Sequence, residues 1–134
     1  MATWLTAYSC ARMSQRRLPP CPDSPNCVST LAPAQDSRHA ITPYRYSKTR
    51  SDAKTALKTV IAGLPRTKLV QEDDIYLHYE FTSLLLRFVD DVEFLFDDQT
   101  KTLNFRSASR TGYGDFGVNR RRMEDIRSRI EGKL

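Results

Sequence analysis

The 134-residue chain is short of several things, and each shortage removes a class of function. No apolar run approaches the ~20 residues of a membrane-spanning helix, so no span is expected and the chain as it stands reads as soluble. It has no Walker loop, no dinucleotide fingerprint and no HExxH, and no cofactor is expected. Only two histidines are present, His39 and His78, and no Ser/His/Asp arrangement stands out, so catalysis has no positive signature. There is no internal repeat and no low-complexity tract. No Lys/Arg-rich run is interleaved with stacking aromatics, so nucleic acid is not the expected partner despite a formal charge of +5. The first ten residues, MATWLTAYSC, lack a basic start, and their apolar stretch is broken by Thr3, Thr6 and Ser9, so no signal peptide is expected. Tyr8 and Ser9 stand before Cys10 where lipidation calls for small residues, so no lipid anchor is expected there either.

What is present is charge in blocks. Residues 1–50 carry seven basic and two acidic groups, residues 51–98 five and ten, and residues 99–134 nine and four. The resulting +5, −5 and +5 either steer an anionic partner or neutralise one another in the fold.

The first 42 residues have no sustained period and hold five of the seven prolines, so they read as an irregular arm. Residues 43–134 read as one α+β domain. Tyr44 and Tyr46 alternate over a short strand, and Ser47 or Thr49 caps a helix whose apolar face is Ala53, Ala56, Leu57, Val60, Ile61 and Leu64. Gly63 and Pro65 end it. The period then drops to two. Strands are expected over 66–71, 75–82, 87–96, with a bulge at Asp90-Asp91, and 102–110. A second helix, from about Val118 to Gly132, presents Met123, Ile126 and Ile130. The fold class is α+β: an antiparallel meander of four or five strands covered by two helices.

Three groups of residues could carry chemistry. Cys21 and Cys27 stand in CPDSPNCVST with C-x5-C spacing, which is neither a redox CxxC nor a usual zinc clip. A disulfide, two reduced thiols, and a metal site completed by Cys10 and His39 are all open. The second group lies in RSASRTGYGDFGVNRRR, residues 106–122. Three arginines in the first turn of a helix oppose its dipole, so something negative should sit nearby. A bound anion held by Arg106, Ser107, Ser109 and Arg110 would answer that. Internal pairs Arg120–Glu124 and Arg121–Asp125, with Asp115 at the helix start, would answer it without a ligand. The third group is acidic: Glu80, Asp90, Asp91 and Glu93. Glu80, Glu93 and Arg106 fall on the sheet face away from the core, where an ion-pair ladder is the simpler reading. General acid–base work by Glu80 or Asp91 is the alternative.

The stretches CPDSPNCVS, LLLRFVDDVEF and RSASRTGYGDFGVNRRRMEDIR, taken in order, resemble the bacterial and plastid family known as domain of unknown function 1499, over roughly residues 20–131. The resemblance implies no activity, and it implies an envelope or lumenal location for many members, leaving the compartment of this chain open. It draws attention to Asp91, Glu93, Arg106, Ser107, Ser109, Arg110, Asp115, Asn119 and Arg121. The expected function is a non-enzymatic binding or assembly module whose face, built from Arg106, Ser107, Ser109, Arg110, Asn119 and Arg121, takes an unknown protein partner or a small anionic ligand. Glu80, Asp91, Glu93 and Asp115 are expected as its structural ion network.

Overall fold

The computed structural model describes residues 18–134, so the expectations about a signal peptide, lipidation and a ligand at Cys10 lie outside the described residues. The elements run β1 (Cys27–Ser29), β2 (Tyr44–Arg45), α1 (Arg50–Ala62), β3 (Thr67–Glu72), β4 (Tyr76–Thr82), β5 (Val89–Asp97), β6 (Thr102–Ser109) and α2 (Val118–Ile130). They form an α+β fold with six strands where four or five were expected. The order is β1-β6-β5-β4-β3, and β2 pairs with a separate stretch of β6. Every strand pair is antiparallel.

Local chemistry sets the boundaries. Thr49 caps α1, its Oγ accepting from the Asp52 amide at 3.1 Å, which satisfies one of the donors a helix start leaves open. Gly63 ends the helix, its N–H reaching the Val60 carbonyl at 3.2 Å. The buried stripe of α1 is Ala53, Leu57 and Ile61, and that of α2 includes Met123, Ile126 and Ile130. Both helices add to one core with the period-two residues Leu77, Tyr79 and Phe81 of β4, Val92, Phe94 and Phe96 of β5, and Leu103 and Phe105 of β6. Within the stretch read as an arm, Cys27–Ser29 forms β1, and Val28 and Ile41 belong to that same core.

Two details differ from expectation. The pairing of β5 runs without interruption from Val89 to Leu95 on the β4 side and from Asp90 to Asp97 on the β6 side, so there is no bulge at Asp90-Asp91. The irregularity is in edge strand β3, between Leu69 and Gln71. Strand β5 also begins later than residue 87, because residues 83–88 close a tight loop. The Ser83 amide donates to the Phe88 carbonyl at 2.9 Å, the Phe88 amide donates to Ser83 Oγ at 2.9 Å, and Arg87 takes a φ of 57°.

Among the described residues no helix is long and apolar enough to cross a membrane.

Candidate functional site

The antiparallel pairing brings several segments to one end of the sheet. The loop 83–88 joins β4 to β5 there, and β6 runs out there into residues 110–117. The Arg110 amide donates to the Val89 carbonyl at 3.0 Å, and the Thr82 amide to the Arg66 carbonyl at 3.0 Å, so the β3 entrance is at the same end. Residues 110–117 then enter α2 through three residues with positive φ, Gly112, Phe116 and Gly117.

Beneath this end lies a buried polar node. Asn119, fully buried, uses both ends of its amide. Its Oδ1 accepts from Ser107 Oγ at 2.6 Å and from Arg122 at 2.9 Å. Its Nδ2 donates to Asp115 Oδ2 at 2.8 Å, to Ser109 Oγ at 3.0 Å and to the Asn26 carbonyl at 3.2 Å. Arg122 goes on to Asp90 at 2.5 Å and lies over the Phe81 ring. Asp115 also accepts from the amides of Gly117 at 2.8 Å and Asn119 at 3.0 Å. Burial alone would raise the Asp115 pKa, but these hydrogen bonds outweigh it and hold the carboxyl below its ordinary value. A stable carboxylate therefore faces the positive end of α2.

The Cys-Pro loop is fastened to the same node. Asn26 accepts from Ser24 Oγ at 2.7 Å and donates to the Gly112 carbonyl at 2.9 Å. The sulfurs of Cys21 and Cys27 lie at bonding distance across a Cα separation of 5.7 Å. Buried His39 holds the loop from outside, with Nε2 at 2.8 Å from the Ser24 carbonyl and Nδ1 at 2.7 Å from Asp36 Oδ2. Both ring nitrogens are thus taken, which removes His39 from the metal-site reading of the cysteines. Among the described residues no group of three or more His, Cys, Asp or Glu side chains is arranged to hold a metal ion.

The other face of the sheet carries the ion pairs. Arg110 grips Asp91 with two bonds of 2.7 and 3.1 Å and reaches Glu80 at 3.0 Å, while His78 Nε2 is 2.8 Å from Asp91. Glu93 accepts from Tyr76 at 2.6 Å and faces Arg106 at 3.4 Å. Glu80 therefore pairs with Arg110 rather than with Arg106. Burial tends to raise the Asp91 pKa, but hydrogen bonds from Arg110 and His78 prevail and lower it. Four open clefts formed by described residues include neither Glu80 nor Asp91 in their walls.

The six residues expected to make one face are therefore divided. Ser107, Ser109 and Asn119 meet in the buried node. Arg106 and Arg110 are on the opposite side of the sheet, committed to carboxylates. Arg121 donates to the Phe116 carbonyl at 2.5 Å. The helix pairs expected as Arg120–Glu124 and Arg121–Asp125 are replaced by Arg127–Glu124 and Arg129–Asp125 at 2.8 and 2.9 Å, while Arg120 donates to the carbonyls of Arg38 and Ala40 at 3.2 and 3.0 Å. The arginine that enters the node is Arg122, and its acid is Asp90. The period-two pattern carries that signal, since Asp90 falls on the same side of β5 as Val92, Phe94 and Phe96.

Sequence reasoning also passed over the apolar tips. Among the described residues ten large apolar side chains are exposed to solvent, and six of them are Leu84, Leu85, Leu86, Phe88, Tyr113 and Phe116, all on the two loops at this end. Leu85 is 87% exposed and Phe116 96%. Five consecutive residues, LLLRF, carry four of them, and in a loop this short there is no core for them to turn to.

No curated protein and no solved structure matches the chain. A family model described as "Protein of unknown function (DUF1499)" matches residues 17–130, nearly the whole length, and the chain belongs to that family.

Proposed function

We propose that the protein is a non-enzymatic docking module whose contact surface is the loop end of the sheet, residues 83–88 and 110–117. One observation carries this reading: the clustering of six large, solvent-exposed apolar side chains on two neighbouring loops. Exposed apolar side chains gathered at one end of a fold cost free energy in water and are characteristic of an interaction surface. The loops stand on a stiff base, since the node of Asn119, Arg122 and Asp90 lies directly beneath them. The catalytic alternative gains less support. Asp91 is held ionised between Arg110 and His78, whereas a general base is favoured by a pKa near the working pH. The same reading takes Cys21 and Cys27 as a disulfide, and hence takes the protein to an oxidising compartment.

The test is site-specific photo-crosslinking in the protein's native cells. A photoreactive residue at Leu85 is expected to give discrete adducts, to protein or to lipid, while one at exposed Thr59, on the outer side of α1, gives none. Equal labelling at the two positions, or none at Leu85, would overturn the docking reading.

A further inference from the structure

The chemistry of the loop end specifies its counterpart further. Resting on the docking reading above, we infer that this end binds the surface of an anionic lipid bilayer, with Leu85, Leu86 and Phe116 entering the acyl boundary and arginines meeting the headgroups.

The shape comes first. The leucines stand on the outside of a six-residue loop closed on itself by two hydrogen bonds between Ser83 and Phe88. They are 61 to 87% exposed, and the walls of four open clefts formed by described residues include none of residues 84–88, while Phe116, 96% exposed, stands at the wall of one of them beside Pro25 and Arg38. An apolar tip that binds a protein needs a pocket shaped to receive it, whereas hydrocarbon receives any apolar tip. Tyr113, also exposed, supplies an aromatic ring with a polar end, the combination favoured where headgroups meet hydrocarbon.

Charge makes the second argument. Arg66, Arg87 and Arg121 are all exposed at this end. Arg66 and Arg121 donate to main-chain carbonyls, of Thr82 and Phe116, so no carboxylate neutralises them through those bonds. The acids nearby are already occupied: Asp115 by α2, and Glu80 and Asp91 by Arg110. The residue between the leucines and Phe88 is itself a cation, Arg87, at a left-handed φ of 57°. An apolar tip with a basic rim is complementary to anionic headgroups over hydrocarbon, and the two contributions add. Such binding is peripheral and needs no spanning helix.

Sedimentation of the full chain with lipid vesicles tests this. The vesicles are phosphatidylcholine alone, or phosphatidylcholine and phosphatidylglycerol in equal parts. The protein is expected to sediment with the mixed vesicles and to bind about tenfold more weakly to phosphatidylcholine alone or in high salt. Leu85→Ser combined with Leu86→Ser should weaken binding to the mixed vesicles by about tenfold or more. Because both side chains are exposed, unchanged circular dichroism and melting should accompany that loss. Arg87→Gln is the independent variant, and should weaken binding to the mixed vesicles while leaving phosphatidylcholine alone unaffected. Failure to sediment with the mixed vesicles overturns the inference, as does sedimentation that survives the double leucine change. A discrete protein adduct at Leu85 in cells, without vesicle binding, overturns the bilayer as partner and leaves the docking reading standing.

Discussion

His39 has an acceptor at each ring nitrogen, a carbonyl on one side and a carboxylate on the other. Only the imidazolium donates from both nitrogens, so the buried ring is best satisfied when charged. The Ser24 carbonyl raises its pKa most, burial works against that, and Asp36 adds to the rise against the repulsion of Arg38. A raised pKa makes the contribution to stability full below the unfolded value of 6.5 and removes it as pH climbs through the folded value. On the acid side, the lowered pKa of Asp36 keeps its part until pH falls through its own folded value, below 3.8. The melting-temperature gap between the parent and His39→Gln should therefore be widest near about pH 5 to 6 and narrow by about pH 9. A constant gap would mean that the ring's pKa is the same folded and unfolded, and a gap that narrows toward acid pH that the ring is held neutral. The second prediction at this scale concerns Arg122. Replacing it with Met leaves Asp90 buried without its cation and should cost about 3 kcal/mol in denaturant unfolding. Adding Asp90→Asn should recover part of that loss, and simple additivity of the two changes would mean that the pair is not coupled.

Elements were legible where periodicity was strong. Both helices and the strands β4 to β6 could be read because their apolar residues recur at 3.6 or at two, and the Thr49 cap and the Gly63 stop had recognisable chemistry; the mostly exposed β3 has no such period. The short strand β2 could be read from the alternation of Tyr44 and Tyr46, whereas three-residue β1 is too short to show a period; both pair along the free edge of β6. The site was less legible for a different reason. Neighbouring residues of a strand face opposite sides, so Arg106 and Ser107, adjacent in sequence, belong to different surfaces. Grouping them by proximity along the chain joined two sites that the sheet separates. The Cys-Pro loop offers an element-scale prediction. A bond closing so short a loop contributes about 2 kcal/mol by chain entropy, so Cys21→Ser with Cys27→Ser should lower unfolding stability by about that amount. Protein taken without reductant from an oxidising compartment should also resist alkylation at both positions, as read by intact mass; two alkylated thiols would contradict the bond.

At the scale of the molecule the charge blocks have a structural meaning. The acidic middle supplies β5 and the basic end supplies β6 and α2, so Asp90, Asp91 and Glu93 meet Arg122, Arg110 and Arg106 across elements. Much of the positive block is spent within the fold, and what projects beyond it is a small apolar end with arginines around it. The central claim is that this end, and not the ion-paired sheet face, is where the protein meets its partner. Hydroxyl-radical footprinting reads it most directly, by comparing oxidation of native side chains in intact native cells with oxidation of the purified protein. The account predicts strong protection in cells of Leu85, Leu86, Phe88, Tyr113 and Phe116, with exposed Leu31 and the half-buried His78 of the open sheet face oxidised alike in both. Protection centred on His78, with the loop residues equally oxidised in cells and in solution, would contradict it.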